Sequence, residues 1–170
     1  AQHVDYAAGV EAIRVFRPDG TPVRTFGEAS GLFQVTDMEL DAAGNVYLTS
    51  RARPDLGLPD DHVARFDTAG NLTGRFVPDP GHPDAFGNGL VGLAVAGDGT
   101  AWVATSRPER SLVRIAPDGT VAAAFDRRLL LPTGSGNLED LDYAGGRLYL
   151  SGFMGNAPSN PVAMVVADPR

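Results

Sequence analysis

The chain has 170 residues, a net charge of −7 and 43% hydrophobic residues, enough for one folded domain with its own core. All basic residues are Arg and they form no basic run, so we expect neither nucleic acid nor an anionic membrane as partner. No apolar run is long enough to span a bilayer, which argues against membrane insertion. The absence of cysteine excludes disulfides, thiol nucleophiles and thiolate metal sites.

The first predicted elements are two strands in "EAIRVFRPDGTPVRTF" at 11–26, preceded by "HVDY" at 3–6, which resembles the end of another strand. The same pattern of two alternating stretches around a glycine turn returns at 62–76 and 111–125. The turn glycines are Gly20, Gly70 and Gly119, which lie 50 and 49 residues apart. A fixed period of this size indicates a repeat architecture. Each copy closes on a phenylalanine that we expect to pack between repeats: Phe26, Phe76 and Phe125.

A second unit, also a pair of strands around a glycine turn, lies between these copies. It reads "VTDMELDAAGNVYLTS" at 35–50, "LVGLAVAGDGTAWVATS" at 90–106 and, more loosely, "LEDLDYAGGRLYLSG" at 138–152. The second strand of each copy carries one aromatic residue, Tyr47, Trp102 or Tyr149, and we expect Trp102 in the core. The two units together make a four-stranded antiparallel sheet of about 50 residues whose two faces must be covered by neighbouring sheets. Such a sheet is a β-propeller blade, and the predicted class is all-β.

These motifs resemble NHL-type repeats and, more broadly, the six-bladed β-propellers that include gluconolactonase and regucalcin. The resemblance rests on "GLAVAGDGTAWVA" at 92–104 followed by "VRIAPDGT" at 113–120, and it covers residues 11–166. It implies a propeller fold. It leaves the function open, because this fold hosts lactonases, lyases, sensor domains and binding platforms.

We divide the single domain, 1–170, into a half blade at 1–26, blades at 34–76 and 90–125, and an incomplete blade at 138–166. The total is about 3.5 blades, whereas propellers close with four to eight. Three interpretations stay open: part of a longer propeller, self-association or a partner chain that completes the ring, or a small four-bladed ring. The strand count disfavours the last, because both end pieces carry the third strand of a blade.

The long predicted connections, 51–61, 77–89, 126–137 and 152–161, all lie on one face of a propeller, and long loops on a rigid scaffold commonly bind ligands. We expect a protein, carbohydrate or small-molecule ligand there. The candidate ligand-binding residues at this face are Asp37, Arg51, Asn88, Arg107 and Asn137. A structural interpretation stands beside this one: the acids cap strand ends or pair with the arginines, and the asparagines, each after a glycine, shape turns.

Oxygen ligands at the starts of the blades' first strands also predict a cation site. Glu139 and Asp140, with Asp37 and an Asn, are suited to Ca²⁺ or another divalent cation. In the gluconolactonase-like family Glu, Asn and Asp side chains hold a metal, and the resemblance implies Glu139 as the closest match to these ligands, with Asn88 or Asn137 as weaker matches. The family's "PDG" and "NG" motifs are replaced here by "TD" at 36–37 and "VG" at 91–92.

The sequence therefore predicts a binding or scaffolding module that presents a face of long loops, with a secreted, periplasmic or cell-surface location and the cytoplasm left open. The first alternative is a metal-dependent, lactonase-like hydrolase or lyase, in which a cation polarises a carbonyl or activates water. The second alternative is a structural assembly subunit whose open sheet edges are buried against partners.

Overall fold

The computed structural model describes residues 2–5, 11–52, 57, 60–78, 89–130, 136–154 and 162–167. They form fourteen β-strands in four antiparallel sheets, and the all-β prediction is confirmed. The helices in this part of the chain are two single 3₁₀ turns, Glu28–Ser30 and Pro108–Arg110, and the short α1, Arg127–Leu130. None of the described helices has the length and apolar character needed to cross a membrane.

In each sheet the strands lie side by side in chain order. Sheet I contains β1 (Gln2–Asp5), β2 (Ala12–Phe16) and β3 (Pro22–Phe26). Sheet II contains β4 (Met38–Leu40), β5 (Val46–Ser50), β6 (His62–Phe66) and β7 (Leu72–Phe76). Sheet III contains β8 (Leu90–Val95), β9 (Ala101–Thr105), β10 (Leu112–Ile115) and β11 (Val121–Phe125). Sheet IV contains β12 (Gly136–Ala144), β13 (Arg147–Met154) and β14 (Val162–Ala167).

The hairpin turns repeat one local design. Gly20, Gly70 and Gly119 have φ angles of 85°, 90° and 90°, which glycine adopts without the cost that a Cβ imposes. In the two "PDGT" turns the aspartate carboxylate accepts a backbone N–H two residues later: Asp19 from Thr21 and Asp118 from Thr120, both at 2.9 Å. Asp19 and Asp118 therefore stabilise their turns.

Three hydrophobic cores lie between consecutive sheets, so each sheet buries its apolar residues against its neighbours. The core between sheets I and II contains Ile13, Phe26, Leu32, Val35, Val46, Leu48, Ala64 and Phe66. The core between sheets II and III contains Tyr47, Val63, Phe76, Leu90, Leu93, Val95, Ala101, Val103, Val113 and Ile115. The core between sheets III and IV contains Ala94, Trp102, Ala104, Leu112, Leu138, Leu141, Leu148 and Leu150. This stacking is the packing expected of propeller blades.

The closing phenylalanines pack between sheets, as predicted. The Phe26 ring contacts the Phe66 ring of sheet II, with centroids 5.5 Å apart, and also lies against the turn at Gly70. Phe76 lies in the same way against Gly119 of sheet III. Phe125 packs against the core between sheets III and IV. The division into blades, and the completion of a ring by another copy or a partner chain, stay predictions.

A buried carboxylate joins sheet I to the segment that leads into β4. Glu11 is only 5% exposed. Its side chain accepts the backbone N–H of Val35 at 2.9 Å and also that of Gln34. These bonds fix the start of sheet II relative to sheet I.

Candidate functional site

A cavity of about 320 Å³ opens between sheets II, III and IV, at the end where the long connections lie. Sheet II contributes residues just before β4 and just after β5, and sheet III contributes the equivalent positions around β8 and β9. Sheet IV contributes the first part of β12. The lining residues are Thr36, Arg51, Leu90, Val91, Ser106, Leu138 and Glu139. Three sheets therefore build the cavity from corresponding places in the repeat.

Two β-bulges place residues in this wall. The pairing of β8 with β9 shifts between Leu90 and Gly92, and the pairing of β12 with β13 shifts between Leu138 and Asp140. The extra residues are Val91 and Glu139, and both line the cavity. A bulge leaves one residue out of the ladder and redirects its side chain. Thr36 is the equivalent residue of sheet II.

The backbones of β8 and β12 lie in close contact beside the cavity. A Cβ built at Gly92 would lie 3.1 Å from the Cα of Asp140 and 3.2 Å from the amide nitrogen of Leu141. Backbone atoms cannot move aside as the end of a side chain can, so only glycine allows β8 to approach β12 this closely. The "VG" at 91–92 thus has a packing role.

Hydrogen bonds fix the wall between sheets II and III. The Asp37 carboxylate accepts the Leu93 N–H at 2.7 Å and the Met38 N–H at 2.8 Å. The Thr36 hydroxyl donates to the Leu90 carbonyl at 2.8 Å and lies 2.8 Å from the hydroxyl of Thr49. Burial raises the pKa of Asp37, although the two backbone N–H groups oppose that shift. Asp37 therefore acts across the sheets as a structural residue beside the cavity.

The cavity holds two side chains of opposite charge on different sheets. Arg51 is half-buried on sheet II, and Glu139 is exposed on sheet IV. Within the described part of the chain, neither the Arg51 guanidinium nor the Glu139 carboxylate has a hydrogen-bond or ion-pair partner. Both groups are therefore available to a ligand.

Further carboxylates lie along the first strands of sheets II and IV. Burial raises the pKa of Glu39, and the charges of Asp37, Asp142 and Asp140 raise it further. The Asp140 carboxylate itself accepts the Leu141 N–H at 2.9 Å. No group of three or more His, Asp or Glu side chains among the described residues is placed to hold one metal ion. The predicted Ca²⁺ site at Glu139 and Asp140 stays a prediction.

The structure separates the other candidate ligand residues. Arg107 does not line the cavity: it precedes the 3₁₀ turn Pro108–Arg110, and its carbonyl accepts from the Ser111 hydroxyl at 2.9 Å. Asn137 lies in β12, but its side chain is not described, and Asn88 lies outside the described residues.

Sequence reasoning missed most of the lining. Thr36, Val91 and Ser106 were not candidates, and neither were the two leucines. The available signal was the repeat alignment itself. Asp37, Gly92 and Asp140 align at the starts of their strands, and the residue before each of them lines the cavity.

Comparison with known proteins adds a fold assignment. No protein-family model matches the chain, and no curated protein matches it. Among solved structures, the chain is similar to selenomethionine-substituted virginiamycin B lyase from Staphylococcus aureus, with a TM-score of 0.57 and 17% identity. The match covers 90% of this chain and 47% of that one, so this chain spans about half the length of its structural neighbour. That neighbour is a β-propeller. The likeness and the stacked four-stranded sheets show that this chain is built from propeller blades. Membership of the NHL or gluconolactonase-like family stays a prediction.

Proposed function

We propose that this chain is a propeller-type binding module that holds a small ligand in the cavity between sheets II, III and IV. One observation carries the proposal: corresponding positions of three sheets converge on one cavity that contains two opposite charges, neither of which has a partner among the described residues. Unpartnered charges at a concave site are typical of ligand recognition, since a few placed polar groups fix a ligand's orientation among apolar side chains.

The cavity's own contacts support this proposal, because they keep its shape without a ligand. Asp37 ties sheet II to Leu93 of sheet III, and Thr36 ties it to Leu90. Gly92 allows β8 of sheet III to lie close to the backbone of β12 in sheet IV. A preformed site spends little binding energy on ordering its own side chains.

The proposal is tested by filling the cavity. Val91→Trp places a large ring at the bulge, and Val121→Trp is the matched control, because Val121 is 40% exposed on β11, the outermost strand of sheet III. A panel of short peptides, oligosaccharides and lactones is titrated against the ¹⁵N-labelled chain. We expect bound fragments to shift the amide signals of Thr36, Arg51 and Ser106. These shifts should be absent in Val91→Trp and unchanged in the control Val121→Trp.

Ser106→Tyr repeats the test from another wall, in case Val91→Trp unfolds the chain. The proposal is wrong if no fragment shifts these amides. It is also wrong if fragments bind both cavity-filling variants as they bind the unsubstituted chain.

The two alternative functions predicted from the sequence stay predictions. The lactonase-like hydrolase or lyase requires a bound divalent cation, and no group of three or more His, Asp or Glu side chains among the described residues is placed to hold one. Calorimetric titration with Ca²⁺, with Glu139→Ala as the variant, tests that function. The assembly subunit predicts instead that Arg51→Ala is silent and that changes at 162–166 alter the native mass measured by light scattering.

A further inference from the structure

We infer that the cavity binds a zwitterion of about dipeptide size, with its carboxylate at Arg51 and its ammonium group at Glu139. The inference rests on the proposed function, since it names the ligand class of that same site.

The placement of the charges carries the argument. Arg51 follows β5 on sheet II, and Glu139 is the bulge residue of β12 on sheet IV. Sheet III lies between those two sheets and supplies Leu90 and Val91 to the wall. The cation and the anion therefore approach the cavity from different sides. A ligand that satisfies both must carry a negative and a positive group at separate ends.

Each side chain suits its end of such a ligand. The planar guanidinium of Arg51 is able to bind a carboxylate through two parallel N–H···O bonds. The Glu139 carboxylate accepts from the three N–H groups of an ammonium ion. Between them, Leu90, Val91 and Leu138 provide apolar contact for the body of the ligand.

Other ligand classes fit the same wall less well. A simple anion is repelled by Glu139, and a simple cation is repelled by Arg51. A neutral sugar displaces water from the Arg51 and Glu139 side chains and forms an ion pair with neither, so the lost hydration weakens its binding. Only a ligand with both charges satisfies both residues.

The volume sets the size. A cavity of about 320 Å³ holds roughly ten water molecules at about 30 Å³ each. Dialanine fits within this volume, because its covalently bonded atoms occupy less space than the same number of water molecules. An extended chain spans up to about 3.5 Å per residue, so the ends of a dipeptide are separated by about 7 Å. In a single α-amino acid both charged groups are attached to one carbon, so they lie closer together than the two ends of a dipeptide.

The experiment uses four probes with the same Ala-Ala core and different end groups, which set the charge at each end. They are Ala-Ala, N-acetyl-Ala-Ala, Ala-Ala-amide and N-acetyl-Ala-Ala-amide, each titrated into the ¹⁵N-labelled full chain. We expect Ala-Ala to bind at least tenfold more tightly than either singly charged probe. Arg51→Ala should remove the preference for a free carboxylate, and Glu139→Gln the preference for a free amine. Arg147→Ala is the control for the loss of one positive charge, because Arg147 is exposed at the end of β13 farther from the cavity. This variant should change neither preference.

The outcomes separate this inference from the proposed function. If the doubly capped probe binds as tightly as Ala-Ala, the zwitterion inference is wrong and the cavity still binds a ligand. If none of the four probes binds but another fragment shifts the cavity amides and is excluded by Val91→Trp, the inference is again wrong and the function stands. If nothing perturbs the cavity, both are wrong.

Discussion

Two turns of identical sequence give a controlled test of how the sheets stack. Gly20 and Gly119 each lie in a "PDGT" turn, with φ angles of 85° and 90°. Each donates its N–H to the carbonyl three residues earlier, at 2.9 and 2.8 Å. The surroundings differ: a Cβ at Gly119 would overlap the Cδ1 atom of Phe76, whereas a Cβ at Gly20 meets nothing within 4 Å. Substitution by alanine therefore imposes the same backbone cost at both sites and a steric clash at only one.

The magnitudes follow from these contacts. An alanine in the left-handed region costs about 1–2 kcal/mol at either site. At Gly119 the Phe76 ring, only 8% exposed between two sheets, must also shift, and overpacking of this kind costs about 1–3 kcal/mol more. We expect Gly20→Ala to lower the free energy of unfolding by about 1–2 kcal/mol and Gly119→Ala by about 2–5 kcal/mol. Urea unfolding at fixed pH measures both values.

A double-mutant cycle isolates the clash. Phe76→Val removes the ring carbons, so in that background Gly119→Ala should cost no more than Gly20→Ala does in the unsubstituted chain. Equal losses at Gly20 and Gly119 would refute the reasoning. So would an excess cost at Gly119 that persists in the Phe76→Val background.

Two further predictions concern buried ionisable groups. Glu11→Ala leaves the backbone N–H groups of Gln34 and Val35 without their buried acceptor, so we expect the free energy of unfolding in urea to fall by about 2–4 kcal/mol. The control is Glu28→Ala at an exposed residue, for which we expect almost no loss. Comparable losses in the two variants would contradict the role of Glu11 as a buried acceptor. Burial lowers the pKa of His62 below its ordinary value, so the unfolded chain binds a proton at this residue more readily than the folded chain does. The contribution of neutral His62 to the free energy of unfolding is therefore complete above about pH 6.5 and is lost as the pH falls through the lowered pKa. We expect His62→Leu to flatten the decline in the free energy of unfolding between pH 7.5 and 5.5, and an unchanged slope would show that another group causes the decline.

The sequence was sufficient to predict the local structure because that structure depends on short-range signals. Alternation in "HVARF" predicts a strand, and β6 spans those residues. The "PDGT" sequence predicts a turn that needs a positive φ, and Gly20 and Gly119 have one. The repeat of about 50 residues then predicts that equivalent sheets stack and bury their closing phenylalanines, as Phe26 and Phe76 do. Each of these inferences uses neighbours in sequence or a fixed period.

The cavity walls depend on contacts that alternation does not encode. Asp37 bonds to the amide of Leu93, 56 residues later, and Glu11 bonds to Val35 across two sheets. The bulges at Val91 and Glu139 follow from how β8 and β12 pair with their neighbours, and a shift of one residue reverses which side chains face inward. Strand prediction therefore located the end of the sheets where the cavity opens, and it missed most of the residues that line the cavity.

The repeat also explains why this cavity has two different ends. At the closing turns the residue types repeat: glycine at 70 and 119 lies against phenylalanine at 26 and 76. The residue before Asp37, Gly92 and Asp140 changes from Thr36 to Val91 to Glu139 in successive sheets, and all three of these residues line the cavity. Three different side chains at one position of the repeat therefore present a hydroxyl, an apolar group and a charge to one cavity. Because Arg51 adds the opposite charge from sheet II, the cavity is polarised from one end to the other, and this polarity is the property that the four dialanine probes measure.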